Sequence, residues 1–278
     1  MKQKNFLNKI ILIFGVFFLF GFQRKIFYPA GIVLEKQHQL IIVAFLMMLI
    51  VVIPVIIMTL LFTYLYRASK MNTYNPDWKH SNIIEIIVWI VPIAIICFLG
   101  MLTWKTSHQL DPKKTIISMN KPIHVNVVAL DWNWLFIYPK EKIATINELI
   151  LPVNTPVIFN ITSNSVMSSF FIPELGSQIY AMPNMISVLN LLAKYPGNYH
   201  GFSANYNGLG FSDMKFNTIV LPNQSMFEKW VKKVQNISCQ LNTLNQVKLI
   251  CKPNLLHEIK YFSHIYPNIF KIIVTNSL

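Results

Sequence analysis

Between Lys36 and Arg67 the chain reads QHQLIIVAFLMMLIVVIPVIIMTLLFTYLY, thirty residues from Gln37 to Tyr66 without a charge. At about 1.5 Å per residue these make a helix of roughly 45 Å, where a bilayer core of about 30 Å needs only about twenty residues. The stretch therefore reads as a transmembrane helix with length to spare for tilt. A second uncharged stretch of 19 residues, Ile86–Trp104, follows between Glu85 and Lys105 and reads as a second span. Each contains one proline, Pro54 and Pro92, which a membrane helix tolerates better than a soluble one. Trp78, Trp89, Trp104, Tyr64 and Tyr66 lie near the ends, where amphipathic rings favour the headgroup region.

The whole composition agrees with that reading. Of 278 residues, 54% are hydrophobic and 13% charged, with a mean hydropathy of +0.45. Soluble domains carry about 25% charged residues, so the composition rules out disorder and favours a membrane protein over a wholly soluble one. The net charge of +13 raises nucleic-acid binding, but Arg24 and Arg67 are the only arginines among 24 basic residues. Base readout and phosphate clamping lean on arginine forks, so the lysine surplus is read as compositional and no nucleic-acid partner is expected.

Ahead of the first span lie Lys2, Lys4 and Lys9, then 14 uncharged residues, Ile10–Gln23. Their reach of about 21 Å is short of a bilayer core. A basic start followed by a short apolar run is the pattern of a secretory signal. Leu19-Phe20-Gly21-Phe22 offers no small-residue cleavage site, so inefficient cleavage and retention as an anchor both stay open. The flanking lysine and arginine counts tie, and orientation rests on the signal. If that segment exports the chain, Met71–Lys79 is cytoplasmic and everything after Trp104 lies outside.

Beyond Lys121 the period changes. Ile123-His124-Val125-Asn126-Val127 alternates apolar and polar, the mark of a half-buried strand. Further strands are expected at Trp132–Tyr138, Ile143–Leu151, Val157–Thr162, Ile186–Leu192, Tyr199–Ala204 and Met214–Leu221. Proline, glycine and asparagine turns separate them, including Pro196-Gly197-Asn198 and Asn207-Gly208-Leu209-Gly210. Seven or eight short strands in about a hundred residues predict a β-sandwich. From Asn223 the pattern turns helical around Met226–Val234.

Two spans followed by an exported sandwich with an aromatic strand resemble subunit II of the haem–copper respiratory oxidases. The resemblance rests on Trp132-Asn133-Trp134-Leu135-Phe136-Ile137-Tyr138, Ser163-Asn164-Ser165-Val166-Met167, Phe171-Ile172-Pro173-Glu174-Leu175-Gly176-Ser177-Gln178 and Tyr195-Pro196-Gly197-Asn198-Tyr199. It runs from about Glu35 into the tail. Ser-Asn-Ser-Val-Met and Gly-Ser-Gln-Ile-Tyr-Ala-Met look like the ubiquinol oxidase branch, the cytochrome bo type.

In copper-bearing members of that family, two cysteines, two histidines, a methionine and a glutamate carbonyl hold a binuclear copper-A centre. Laid on that pattern, Ser168 takes the first histidine position, Ser203 and Asn207 the two cysteines, Asn205 the glutamate and Phe211 the second histidine. Only Met214 is kept. Hydroxyl and amide groups do not replace copper thiolates and phenylalanine has no donor, so the expectation is no metal in this chain, with Phe211 and its neighbours filling the locus. Trp132, Trp134, Phe136 and Tyr138 are expected to pack structurally rather than relay electrons. The seven histidines show no ligand-like pairing.

The resemblance also implies that Glu85, at the start of the second span after Ser81 or Asn82, stands at the cytoplasmic mouth of a proton channel into subunit I. A carboxylate in a helix's first turn is favoured by the dipole alone, which is the competing reading. Haem b, a second haem of o type and copper B are implied in subunit I, with ubiquinol as substrate and subunits III and IV as further partners. Relatives in the ubiquinol branch often carry a lipid-modified cysteine where this chain has Phe22, which has no thiol to acylate.

The organisation expected is therefore a membrane-anchored α+β chain in a bacterial inner membrane. It comprises a signal-like segment (1–23), a short external segment (24–39), a first transmembrane helix (40–66), a cytoplasmic loop (67–81) and a second transmembrane helix (82–105). A linker (106–120), a periplasmic cupredoxin-like domain (121–222) and a helical, aromatic-rich tail (223–278) complete it. Cys97 reads as a small buried side chain, and Cys239 and Cys251 could pair if exported. The rival readings are a copper-bearing cytochrome c oxidase subunit and a membrane-tethered binding module.

Overall fold

The computed structural model describes residues 29–67 and 80–275. The signal-like segment with Phe22, most of the expected cytoplasmic loop and the last three residues lie outside that range. Residues 36–67 and 80–114 form one compact unit, and residues 29–35 with 115–275 form the other.

The first unit holds helices α1 (Ile32–Leu65) and α2 (Asn82–Gln109), both long and apolar enough to cross a membrane. None of their most apolar stretches is covered by the rest of the described protein. The hydroxyls of Thr59 and Thr63 donate back to the carbonyls of Val55 and Thr59 at 2.7 Å. Those polar groups are thus satisfied within the helix, as lipid surroundings require. Cys97 is exposed on α2 rather than buried, because the helix buries no residue among those described.

The α1 helix starts eight residues earlier than Leu40. Ahead of it Ala30 and Gly31 join the β unit. Gly31 bridges Ala193, Ala30 N–H donates to the Glu174 carbonyl at 3.0 Å, and Lys194 N–H donates to the Ala30 carbonyl at 2.8 Å. In the helix's first turn Glu35 pairs with Lys194. Leu34 and Ala30 are buried.

The second unit is a two-sheet sandwich of eleven strands. One sheet has six, in the order β11-β3-β2-β1-β5-β8, formed by Ile123–Ala129 (β1), Trp134–Tyr138 (β2), Ile143–Ile146 (β3), Val157–Ser163 (β5), Ser187–Leu191 (β8) and Lys260–Phe262 (β11). The other has five, in the order β4-β10-β9-β6-β7, formed by Glu148–Pro152 (β4), Ser168–Phe171 (β6), Ile179–Ala181 (β7), Gly197–Ser203 (β9) and Lys215–Leu221 (β10). The first pair of strands shows the register: β1 runs antiparallel to β2, with Val127 opposite Phe136, and parallel to β5, with Val127 opposite Ile161.

The single strand expected over Ile143–Leu151 is two strands in different sheets. The chain turns the corner at Asn147, whose φ of 59° is one that asparagine tolerates. Asn147 then holds both sheets: its N–H donates to the Trp134 carbonyl, its Oδ1 accepts from Trp134 N–H, and its carbonyl accepts from Asn217 N–H. The aromatic strand starts at Trp134 rather than Trp132, because Trp132 adopts a φ of 71° that breaks the extended run.

All five residues of β2 are buried because this sheet is covered on both faces. Trp134, Phe136 and Tyr138 face the inter-sheet core, while Leu135 and Ile137 face a second cluster built from the C-terminal segment, including Leu241, Val247, Phe262, Ile269 and Ile273. Helix α3 (Gln224–Gln235), capped by the Asn223 side chain on Met226 N–H, adds Phe227, Val231 and Val234 to the inter-sheet core. The short helices α4 (Leu244–Ile250) and α5 (Ile269–Val274) complete the second cluster. The tail is thus helical and packed, and β11 within it extends the sheet beside β3.

Candidate functional site

Three elements converge where the family pattern places a copper pair. Strand β6 brings Ser168 at its first residue, β9 ends on Ser203, and the loop after it carries Asn205 and Asn207 into a 3-10 turn, Phe211–Asp213. Met214 follows and leads into β10. Backbone bonds lock the three together: Ala204 N–H donates to the Ser169 carbonyl at 3.0 Å, and Ser203 N–H to the Met214 carbonyl at 3.1 Å.

Inside that frame, the carboxamide of Asn207 closes the locus. Its Nδ2 donates to Ser168 Oγ at 2.8 Å and lies 3.0 Å from Met214 Sδ. Ser168 and Met214 are fully buried. Ser203 Oγ donates to the Asn205 carbonyl at 3.1 Å and accepts from Ser169 N–H at 3.4 Å. Asn205 reaches the Met167 carbonyl at 3.5 Å. Phe211 is half-buried and meets Tyr206 edge-on at 5.6 Å, so the gap between Ser168 and Met214 is filled by Asn207 and not by Phe211.

The structure therefore brings Ser168, Asn207 and Met214 into contact and keeps Ser203 and Asn205 one bond away. The donor set is hydroxyls, carboxamides and one thioether. A thiolate-bridged copper pair needs soft anionic sulfur and imidazole, and these residues do not fit it. Among the described residues no group of three His, Cys, Asp or Glu is placed to hold a metal ion. His200, closest in sequence to the loop, lies against Asn217 Oδ1 at 3.2 Å.

Beneath the locus lies the aromatic core. Trp134 meets Phe170 and Phe216 edge-on at 5.4 and 5.6 Å, Phe170 and Phe216 stack at 5.3 Å, and Phe136 lies 5.1 Å from Phe216. Such pairs add about 0.5–1.5 kcal/mol each beyond area burial. Tyr138 OH donates to the Ile150 carbonyl at 3.0 Å and accepts from Ile150 N–H at 2.9 Å, tying the two sheets together. Burial pushes this phenol well above the ordinary tyrosine range.

Trp132 plays a part that the sequence did not indicate. Its ring lies on the Asn207–Gly210 loop, where a Cβ at Gly210 would come within 2.4 Å of Trp132 Cγ. Gly208 also needs its freedom, at a φ of +118°. Asn-Gly-Leu-Gly was legible only as a turn; that its glycines seat a tryptophan depends on a strand pairing 70 or more residues away in the chain.

Glu85 lies in the first turn of α2, behind Ser81 as N-cap, and its N–H donates to the Ser81 carbonyl at 3.1 Å. The Ser81 side chain makes no cap bond. Glu85 Oε2 is 3.3 Å from His80 Nε2, with both side chains more than half exposed. His80 as a partner was not anticipated. Cys239 is exposed, Cys251 is buried, and both thiols are free rather than paired. Burial and the nearby Asp131 push the Cys251 thiol up to about 11.

Comparison with known proteins agrees with this architecture. The family described as "Cytochrome C oxidase subunit II, periplasmic domain" matches residues 139–223. "Cytochrome bo(3) ubiquinol oxidase subunit 2" of Buchnera aphidicola subsp. Baizongia pistaciae is 48% identical over 279 residues, covering 100% of this chain and 98% of that one. "Ubiquinol oxidase subunit 2" of Acetobacter aceti is 50% identical, over 92% of this chain and 83% of that one. The Pseudomonas aeruginosa "Cytochrome bo(3) ubiquinol oxidase subunit 2" is 49% identical, over 92% and 77%. Sharing about half its residues with these proteins over nearly its whole length, the chain belongs to the subunit 2 family of the cytochrome bo(3) ubiquinol oxidases.

Proposed function

We propose that this chain is a non-redox subunit II of a proton-pumping ubiquinol oxidase. Electrons from ubiquinol reach oxygen within subunit I, through haem b, an o-type haem and copper B, without passing through this chain. The observation that carries the reading is the Asn207 carboxamide bonded to Ser168 and resting on Met214. A hydroxyl, a carboxamide and a thioether in mutual contact where a metal pair would sit include no anionic ligand to attract copper. The buried Trp134, Phe136 and Tyr138 then serve packing, and the sandwich serves assembly with subunit I and with subunits III and IV.

The same reading puts the sandwich in the periplasm and the loop at 67–81 in the cytoplasm of a bacterial inner-membrane, multi-pass protein. Its support is the pair of long apolar helices and the family description of the β domain as periplasmic. Two successive spans return the chain to the side it left, so the β domain after α2 and the loop at 67–81 fall on opposite sides of the membrane. Glu85, at the return, then faces the cytoplasm beside His80, in position to collect protons for subunit I.

Two measurements test this. The purified oxidase is expected to oxidise ubiquinol and not reduced cytochrome c; turnover with cytochrome c comparable to that with ubiquinol overturns the non-redox assignment. Protease added to the cytoplasmic side of sealed vesicles should leave the β domain intact. Its cleavage there overturns the orientation.

A further inference from the structure

The segment that leads from α2 into β1 carries two apolar side chains that the fold leaves bare. Ile117 and Met119 are 97% and 106% exposed, as in a fully extended chain. The segment itself is fixed. Between them Ser118 Oγ donates to the Asn154 carbonyl at 3.1 Å, and Asn120 Nδ2 donates to the same carbonyl at 3.0 Å. Asn154 N–H donates in turn to the Ala193 carbonyl at 2.8 Å, and Gly31, just ahead of α1, bridges Ala193. The chain arriving from α2 and the chain leading into α1 are therefore pinned side by side at the end of the sandwich where β1 and β5 start. Tyr195, 60% exposed, lies at the same end, next to Lys194.

Single exposed apolar residues are ordinary; the place of these points to what covers them. Glu35 is paired with Lys194 and so belongs to this end of the β unit. Leu40, where the apolar run starts, is five residues further along the same helix, about 8 Å. The polar layer on each side of a bilayer core is about 5–8 Å deep. The chain itself thus holds this end close to the headgroups. Its charges suit that level: Lys121, Lys140, Lys142 and Lys194 stand against two carboxylates, Glu35 and Glu141. Lys121 and Lys140 are exposed and share a cleft with Asn120. Bare apolar side chains, an amphipathic ring and a lysine surplus are the parts of an interfacial anchor. We propose that Ile117, Met119 and Tyr195 rest in the adjoining leaflet, with Lys121 and Lys140 on the headgroups of an anionic phospholipid. The inference rests on the reading of α1 and α2 as spans.

The test uses the whole purified oxidase in mixed vesicles of phosphatidylcholine and phosphatidylglycerol. One lipid or the other carries a diazirine near the glycerol end of an acyl chain, which light converts to a carbene that inserts into neighbouring side chains. Adducts are mapped by mass spectrometry in wild type and in the double variant Lys121→Gln/Lys140→Gln, whose haem content and ubiquinol turnover should be unchanged. In wild type, residues 115–121 should be labelled, with phosphatidylglycerol in excess of its bulk share. That excess should fall by about fivefold for each lysine replaced, and raised salt should act in the same direction. Labelling that draws on the two lipids in their bulk ratio and ignores the lysine replacements overturns the proposal. Labelling of α1 with none at 115–121, as when subunit I covers Ile117 and Met119, overturns it while leaving the spans intact. If neither α1 nor 115–121 is labelled, the spans fail and the proposal falls with them.

Discussion

Replacing Gly31 by alanine tests how residues 30–32 are seated on the sandwich. A Cβ there would lie 2.2 Å from the Leu175 carbonyl oxygen and 2.9 Å from its carbon and Cα. Carbon–oxygen contacts settle near about 3.3–3.6 Å, so the segment must back away by about 1 Å. Three backbone hydrogen bonds depend on its place: Ala30 N–H to Glu174, Lys194 N–H to Ala30 and Ile32 N–H to Leu192, at 3.0, 2.8 and 3.3 Å. At about 0.5–1.5 kcal/mol each their loss costs about 2–4 kcal/mol. Alanine's smaller unfolded-state entropy returns about 0.4–1 kcal/mol. A net loss of about 2–3 kcal/mol lowers Tm by about 4–12 °C in a domain of this size. The assay is thermal unfolding of the purified oxidase, with hydrogen exchange read at the amides of Ala30, Ile32 and Lys194. Lys194→Gln is the control: it removes only a partly exposed ion pair with Glu35 and should cost less than about 1 kcal/mol. A Gly31→Ala protein with unchanged Tm and unchanged protection at those amides would refute that seating.

Replacing Tyr138 by phenylalanine leaves the N–H and carbonyl of Ile150 unpaired between the sheets and should cost about 1–3 kcal/mol, read as a lower urea midpoint; an unchanged midpoint contradicts the tie. Alkaline pH should destabilise the sandwich. Burial holds the phenols of Tyr138 and Tyr261 above their ordinary range, with Glu148 adding to the second, and Cys251 is pushed up to about 11. Above about pH 9 the unfolded chain releases these protons first and binds fewer than the fold, so stability is full below that pH and falls as pH rises. A urea midpoint flat from pH 8 to 11 contradicts this. Glu85→Gln should lower ubiquinol turnover several-fold with haem content unchanged, Ala should be no milder and Asp should rescue in part. Normal Gln turnover at several pH values would leave Glu85 only its helix-start role.

The two long apolar helices were legible because thirty and nineteen uncharged residues run without a break, and β1 because its apolar–polar alternation survives at its start. Helix α1 begins early because Glu35, which looks like a boundary in sequence, is paired with Lys194 far along the chain. Strands β6, β7 and β11 have only three or four residues, too few for a period to register, and β11 gains its partner Ile146 only by tertiary register. Ile143–Leu151 reads as continuous because one left-handed residue, Asn147, leaves no mark in an apolar pattern. At the candidate site, the family pattern pointed to Ser168, Ser203, Asn207 and Met214, of which Ser168, Asn207 and Met214 come into contact. That carboxamide contact was not legible, since it depends on how the Asn207 loop folds back over β6.

The ratio of copper to haem in the purified oxidase tests the central claim most directly. With the donor set of Ser168, Ser203, Asn205, Asn207 and Met214 unfit for a copper pair, the proposal places all copper of the complex in subunit I. The expected result is one copper for each pair of haems, unchanged when Met214 is replaced by leucine. Three coppers for each pair of haems, with two lost on replacing Met214, would contradict the account.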